Sequence, residues 1–183
     1  GGGRRMPSFG VLGGIHRYGA GGGGYGKQLK DDYRRFYGST VNFAGRGEMV
    51  PNEATFCEID PTVVDRWGIP VLRFHFKWSD HEYNQVKHMQ ETFRAIIHEM
   101  GGTPITPMPS RESGYGILPG GRIIHELGVT RMGNDPSRSV LNRNCQAHDV
   151  KNVFVTDGGP FVSQADKNPT WTILALAMRT GEY

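Results

Sequence analysis

The residues of this chain best suited to chemistry lie in its last third. His125 opens the run His125-Glu126-Leu127-Gly128-Val129-Thr130-Arg131-Met132-Gly133, which ends in a glycine turn. An imidazole titrates near pH 6.5, roughly where a general base is wanted at neutrality. A histidine held in a loop or core by a backbone hydrogen bond has the same sequence signature, so both readings stand. Further on, Asn168, Pro169 and Thr170 precede the apolar run from Trp171 to Ala177. Asn at an N-cap and Pro at the first helical position start a helix without any functional purpose. The free N–H groups and positive dipole end of such a helix can equally hold negative charge on a ligand. Between these two sites, Asp157 and Gly158 follow the apolar Val153, Phe154 and Val155. The carboxyl end of a strand is where α/β units contact ligands, though a plain strand-to-turn corner fits the same residues.

Other polar clusters carry less. Gly19, Gly21 and Gly24 satisfy G-x-G-x-x-G, and residues 21–27 nearly satisfy a phosphate-binding loop. A dinucleotide fingerprint needs a hydrophobic strand directly before it, and Ile15, His16, Arg17 and Tyr18 suit that role poorly. The phosphate loop needs Ser or Thr after its lysine, and Gln28 follows Lys27 here. Residues 1–26 are therefore expected to be loops on the substrate side. His81, His88 and His98 lack the i,i+4 spacing of a helical zinc pair and are expected to be polar, solvent-facing positions. No metal site is expected. Cys57 and Cys145 make no disulfide framework and read as buried free thiols.

Composition narrows the class. A chain of 183 residues that is 37% hydrophobic can build one domain with a core, or parts of two. No stretch reaches the roughly 18 apolar residues of a membrane helix, and no secretory leader is visible, which leaves a cytoplasmic or periplasmic location open. The 27 glycines and 11 prolines suit strands and loops around a ligand better than a helical bundle. A net charge of +3 with scattered basic residues, not interleaved with aromatics, argues against nucleic acid as a partner. Both termini interrupt recognisable patterns, so the chain is expected to be a fragment.

Several elements must position these residues. Leu29, Tyr33, Phe36 and Tyr37 predict a short helix over 27–37, stopped by Gly38. Residues 40–51 and 55–59 predict strands, with turns over 60–70. Over 71–78, Leu72, Phe74, Phe76 and Trp78 alternate with Arg73, His75 and Lys77, and together these strands predict a half-buried antiparallel sheet. Ser79 with Glu82 three residues later forms a capping box. Apolar positions from Tyr83 to Met100 then predict a helix over 79–100, stopped by Gly101 and Gly102. Prolines and small residues over 103–120 predict an extended link. The change of character places a boundary near residues 102–120.

The segment from His125 to Gly133 resembles the His-x-x-Gly-Thr-x-x-Met-Gly run of the glucose–methanol–choline (GMC) flavoprotein oxidoreductases, with Val129 where Thr is usual and Thr130 following it. Residues 134–141 and 148–157 resemble that family's return to its cofactor domain, where His148 is expected to brace the turn before the strand. The Asn168-Pro169 pair resembles one of the family's two forms before its last helix. Residues 38–49 and 65–70 look most like the sugar- and sugar-acid-oxidising dehydrogenases. The resemblance implies an α+β fragment: an antiparallel substrate-domain sheet with a long packing helix, then the returning strand and helix of an FAD-binding α/β domain. It assigns residues 1–110 to part of the substrate-binding domain and 111–183 to the C-terminal part of the FAD-binding domain. It implies FAD as cofactor, with Asp157, Gly158, Asn168, Pro169 and Thr170 in contact with it. His125 would be the catalytic base and Asn168 would orient the oxygen of an alcohol or sugar substrate. The electron acceptor stays open, with dehydrogenase favoured over oxidase. The N-terminal FAD-binding portion would be a missing partner, leaving this piece inactive alone. The alternative is a non-catalytic binding or structural module related to the family.

Overall fold

The computed structural model describes residues 9–16, 25–122, 124–163 and 166–183. Strand β1 (Phe9–His16) pairs antiparallel with β2 (Thr40–Gly47), from Phe9 opposite Gly47 to His16 opposite Thr40. Helix α1 (Gly26–Phe36) joins them. The expected loop over residues 1–26 is corrected for 9–16. Glycines dilute the local strand pattern there, but the long-range ladder with β2 supplies its hydrogen bonds, as sheet context often does. The glycine-rich residues 17–24 lie outside the described residues. A strand before these residues and a helix after them occur in the order a dinucleotide fingerprint requires. The fingerprint still fails, because β1 and β2 are antiparallel and that unit is parallel.

Helix α2 (Asp80–Glu99) begins with the capping box expected from Ser79 and Glu82. Glu82 is buried and its carboxylate accepts from Val50 N at 2.9 Å, Ser79 N at 2.8 Å and the Ser79 hydroxyl. Burial by itself pushes this carboxyl up, but the donors from Ser79 and Val50 outweigh it and hold the group below its ordinary value. Glu82 therefore caps α2 and ties it to the chain leaving β2. Met89 and Phe93 form the buried stripe of α2, and Phe93 stacks on Phe43 of β2 at 5.6 Å. Gly45 and Gly47 let β2 approach so closely: a Cβ at either would collide with Met89, and at Gly47 also with the Gln85 amide. His81 and His88 are half-buried and only His98 is exposed, which corrects the solvent-facing expectation for the first two. His81 turns toward Glu48, 3.8 Å away.

Strands β3 (Phe56–Val64) and β4 (Pro70–His75) form a second, separate two-stranded sheet. β3 runs on to Val64, into the expected turn region, with an irregularity between Ile59 and Val64. Cys57 faces Phe74 and Ile59 faces Leu72 in the register, so the predicted alternation holds as far as His75, where β4 ends before Phe76 and Trp78. The predicted burial is not: Ile59, Leu72 and Phe74 are exposed, Phe74 at 67%. Alternation tells which residues share a face, not whether anything covers it. Residues 103–120 do not run free of the helix. Arg94 donates to Thr106 O at 2.6 Å, Gln90 to Tyr115 O at 3.2 Å and Trp78 to Leu118 O at 3.0 Å, lacing this link along α2.

The last third has a small core of its own, centred on Leu141 and Cys145, both 0% exposed. Residues 131–133 bond to 140–141 through Gly133 N to Leu141 O at 2.8 Å and Val140 N to Arg131 O at 3.1 Å. The expected strand over 153–155 is reduced to isolated antiparallel pairing with 145–147, through Ala147 N to Val153 O and Val155 N to Cys145 O, each 2.9 Å. Helix α3 (Thr170–Glu182) closes the chain. Its far end is anchored where Arg179 donates to Arg143 O and Thr180 to Asn144 O at 3.3 Å.

Candidate functional site

Three segments meet at Gly158. Gly128 N donates to Gly158 O at 3.0 Å and Met132 N to Pro160 O at 2.9 Å, zipping the His125 segment onto the turn after Val155. A Cβ on Gly158 would collide with Leu127 and would lie 3.8 Å from Ile173 Cδ1 in the first turn of α3. Leu127 is two residues from His125, and Ile173 is three from Thr170. The fold therefore sets Leu127 and Gly128, which follow the candidate base, and Ile173, in the first turn of α3, against the same glycine, Gly158. Gly159 is just as restricted: a Cβ there would strike Thr130 Oγ1, with Asp157 Oδ1 at 2.9 Å and Val155 Cγ1 at 3.1 Å.

His125 is half-buried, and its imidazole has no hydrogen bond or ion pair among the described residues. Among the described residues no backbone hydrogen bond holds this ring. Asn168 and Thr170 are exposed and Pro169 is buried. The helix starts one residue later than expected: Pro169 occupies the cap position with φ −86° and ψ −12°, and no side chain caps the first turn. Pro169 already has helical angles. The consequence is physical. The first N–H groups of α3 lack a side-chain acceptor, and orphan donors at a helix start bind anions or ligand oxygens.

Asp157 is exposed, and its Oδ1 accepts from Gly159 N at 2.7 Å. Gly158 O is already engaged by Gly128 N and, at 3.4 Å, by Phe161 N. These two candidate cofactor residues thus have clear duties in shaping the turn. Sequence reasoning missed the residues that build the junction: Leu127, Thr130, Gly159 and Ile173. The adjacent pair Gly158-Gly159 was the visible signal, since successive glycines after a strand mark close backbone approach.

Val129 stands out in the segment. Its φ is 77°, and it is 60% exposed. A β-branched residue in the left-handed region is a rare, strained arrangement. Gly128, at φ 100°, begins the same tight turn. Together they reverse the chain so that Thr130 points back at the Asp157 turn, where its hydroxyl is buried without a hydrogen-bond partner.

A flavin suits this junction in two respects. The uncapped start of α3 offers donors to the polar edge of the ring system. Ile124, Val129 and Trp171 are exposed apolar side chains on the segments that meet at Gly158, suited to an apolar ring face. No group of metal-ligating side chains occurs among the described residues. No helix among them is long and apolar enough to cross a membrane.

Residues 51–177 match the GMC oxidoreductase family. The chain is 31% identical over 159 residues to the 2-methyl-1,2-propanediol dehydrogenase of Mycolicibacterium austroafricanum, covering 87% of this chain and 28% of that protein. It is 28% identical to the gluconate 2-dehydrogenase flavoprotein of Pantoea cypripedii, covering 83% of this chain and 25% of the relative. It is 26% identical to the fructose dehydrogenase large subunit of Gluconobacter japonicus, covering 86% and 27% respectively. The chain belongs to the GMC oxidoreductase family, and it spans about a quarter of the length of these relatives.

Proposed function

We propose that this chain is the C-terminal portion of an FAD-dependent oxidoreductase acting on the CH–OH group of an alcohol or sugar. In this reading residues 1–110 belong to its substrate-binding domain and residues 111–183 complete its FAD-binding domain. The observation that carries the reading is the junction at Gly158, which joins the segment that follows His125, an imidazole with no partner among the described residues, to the first turn of α3. The names of the relatives support an alcohol or sugar substrate, and they include both dehydrogenases and oxidases.

His125 accepts the proton of the substrate hydroxyl as the carbon–hydrogen bond breaks. A neutral imidazole is matched to that task near pH 7. Asn168, exposed beside the helix start, hydrogen-bonds the same oxygen and sets which carbon faces the cofactor. When bound, FAD supplies the two-electron acceptor chemistry that protein side chains lack. The backbone donors from Thr170 onward would hold the polar edge of the ring, where negative charge is favoured by the helix start. Asp157 and Gly158 shape the turn beneath it.

His125→Ala in the longer protein tests the assignment. Anaerobic flavin reduction by substrate should slow by about 10²–10⁴-fold, with FAD absorbance and content unchanged. An unaltered rate removes His125 from the reaction and favours a non-catalytic module related to the family.

A further inference from the structure

We propose that His148 is a positioning residue for the His125 segment, acting through the carbonyl of Gly133; the inference rests on the function proposed above. His148 Nε2 lies 3.0 Å from Ser139 Oγ and 3.2 Å from Gly133 O. The hydroxyl of Ser139 is 2.6 Å from Asp135 O, a carbonyl that can only accept. Ser139 therefore spends its proton on Asp135, and its oxygen is left to accept from His148. Gly133 O is an acceptor as well. Both contacts require the proton on Nε2, and that single N–H is shared between them.

The ring's own backbone is fixed by His148 N donating to Val140 O at 3.0 Å, so the imidazole is a braced strut rather than a loose contact. What it braces is the end of the reactive segment. Gly133 N is held by Leu141 O, and a side chain at Gly133 would meet Ser139 Cβ at 2.8 Å. The preceding residue, Met132, bonds to Pro160 O, and Gly128 bonds to Gly158 O. The segment is thus clamped at its far end by His148 and at its middle by the turn beneath α3. Removing the strut frees Gly133 O and lets residues 128–133 shift against that turn. His125 sits at the other end of this lever. Misplacement of a base by about 1 Å is enough to cost about 10²-fold in rate.

The test uses the full-length flavoprotein with three substitutions. His148→Leu removes the donor, His148→Gln carries an amide N–H to about the reach of Nε2, and His148→Asn carries one only as far as Nδ1. Anaerobic stopped-flow gives the limiting rate of flavin reduction and the half-saturating substrate concentration, while absorbance gives FAD content. His148→Leu and His148→Asn should lower the limiting rate by about 10- to 100-fold, with half-saturation within about twofold, and His148→Gln should recover to within about threefold of wild type. Wild-type rates in His148→Leu overturn the proposal, as does a His148→Gln variant as slow as His148→Leu. If His148→Leu fails to retain FAD, His148→Asn decides, and a wild-type rate there overturns it. His125→Ala run alongside separates the two readings. A fast His125→Ala enzyme refutes the proposed function, whereas a slow one beside a fast His148→Leu enzyme refutes this inference alone.

Discussion

Replacing Gly159 by Ala probes the junction most directly. Gly159 does not need left-handed backbone angles, as it is absent from the residues with positive φ, so any penalty is steric. The added methyl would run into Thr130 Oγ1 while Asp157 Oδ1 stands at 2.9 Å and Val155 Cγ1 at 3.1 Å. With neighbours on three sides, it cannot be relieved by a single rotamer change. Overpacking of this kind costs about 1–3 kcal/mol. The Thr130 hydroxyl is buried and unpartnered, so Thr130→Ala should cost little by itself: the lost methyl contact, worth about 1 kcal/mol, is offset by removal of an unsatisfied group. In the double variant the new methyl occupies the vacated space. The cycle should then show a favourable coupling of about 1–2 kcal/mol. Urea unfolding followed by tryptophan fluorescence measures it. A Gly159→Ala cost below about 0.5 kcal/mol, or strictly additive variants, would refute the close packing of the His125 segment on this turn.

Glu82→Ala should destabilise the protein by about 3–5 kcal/mol, since it orphans donors from Val50 and Ser79 and removes the α2 cap; an equilibrium unfolding curve within 1 kcal/mol of wild type, on the scale of an ordinary neutral hydrogen bond, would contradict this. Because the folded pKa of Glu82 lies below its ordinary value of 4.5, its charge-dependent contribution is complete above that value and fades as pH falls through the lower folded one. Wild type should therefore lose stability relative to Glu82→Gln on acidification, measured as the difference in melting temperature between pH 6 and pH 3. Val129→Gly should stabilise by about 0.5–1 kcal/mol, because relief of left-handed strain exceeds the entropy cost of glycine. Val129→Thr, still β-branched, should not, and equal melting temperatures for Gly and Thr would show that φ is not strained there.

Much of this protein was legible because some signals are local. The capping box of α2 depends on four consecutive residues, and the helix is built as those residues dictate. Alternation through β4 correctly placed Leu72 and Phe74 on one face. The order His, Gly, Met and Gly in the 125–133 run located the segment that packs on the Gly158 turn, and the run from Asn168 onward located a helix start to within one residue. Each of these properties is set by neighbours within a few positions along the chain.

Other features needed the fold. β1 exists because β2 offers it a ladder, and the ends of that pairing are 38 residues apart between Phe9 and Gly47. The glycines at 45, 47, 158 and 159 look alike in the sequence, yet only packing shows that the first two admit α2 and the last two admit Leu127 and Thr130. Whether the His125 ring has a partner, and which carbonyl His148 grips, depend on contacts between segments distant along the chain. Sequence alone determined which residues could do the chemistry and where helices begin. The tertiary structure decided which of them share a junction, because close approach is a property of pairs of surfaces and not of either strand of residues alone.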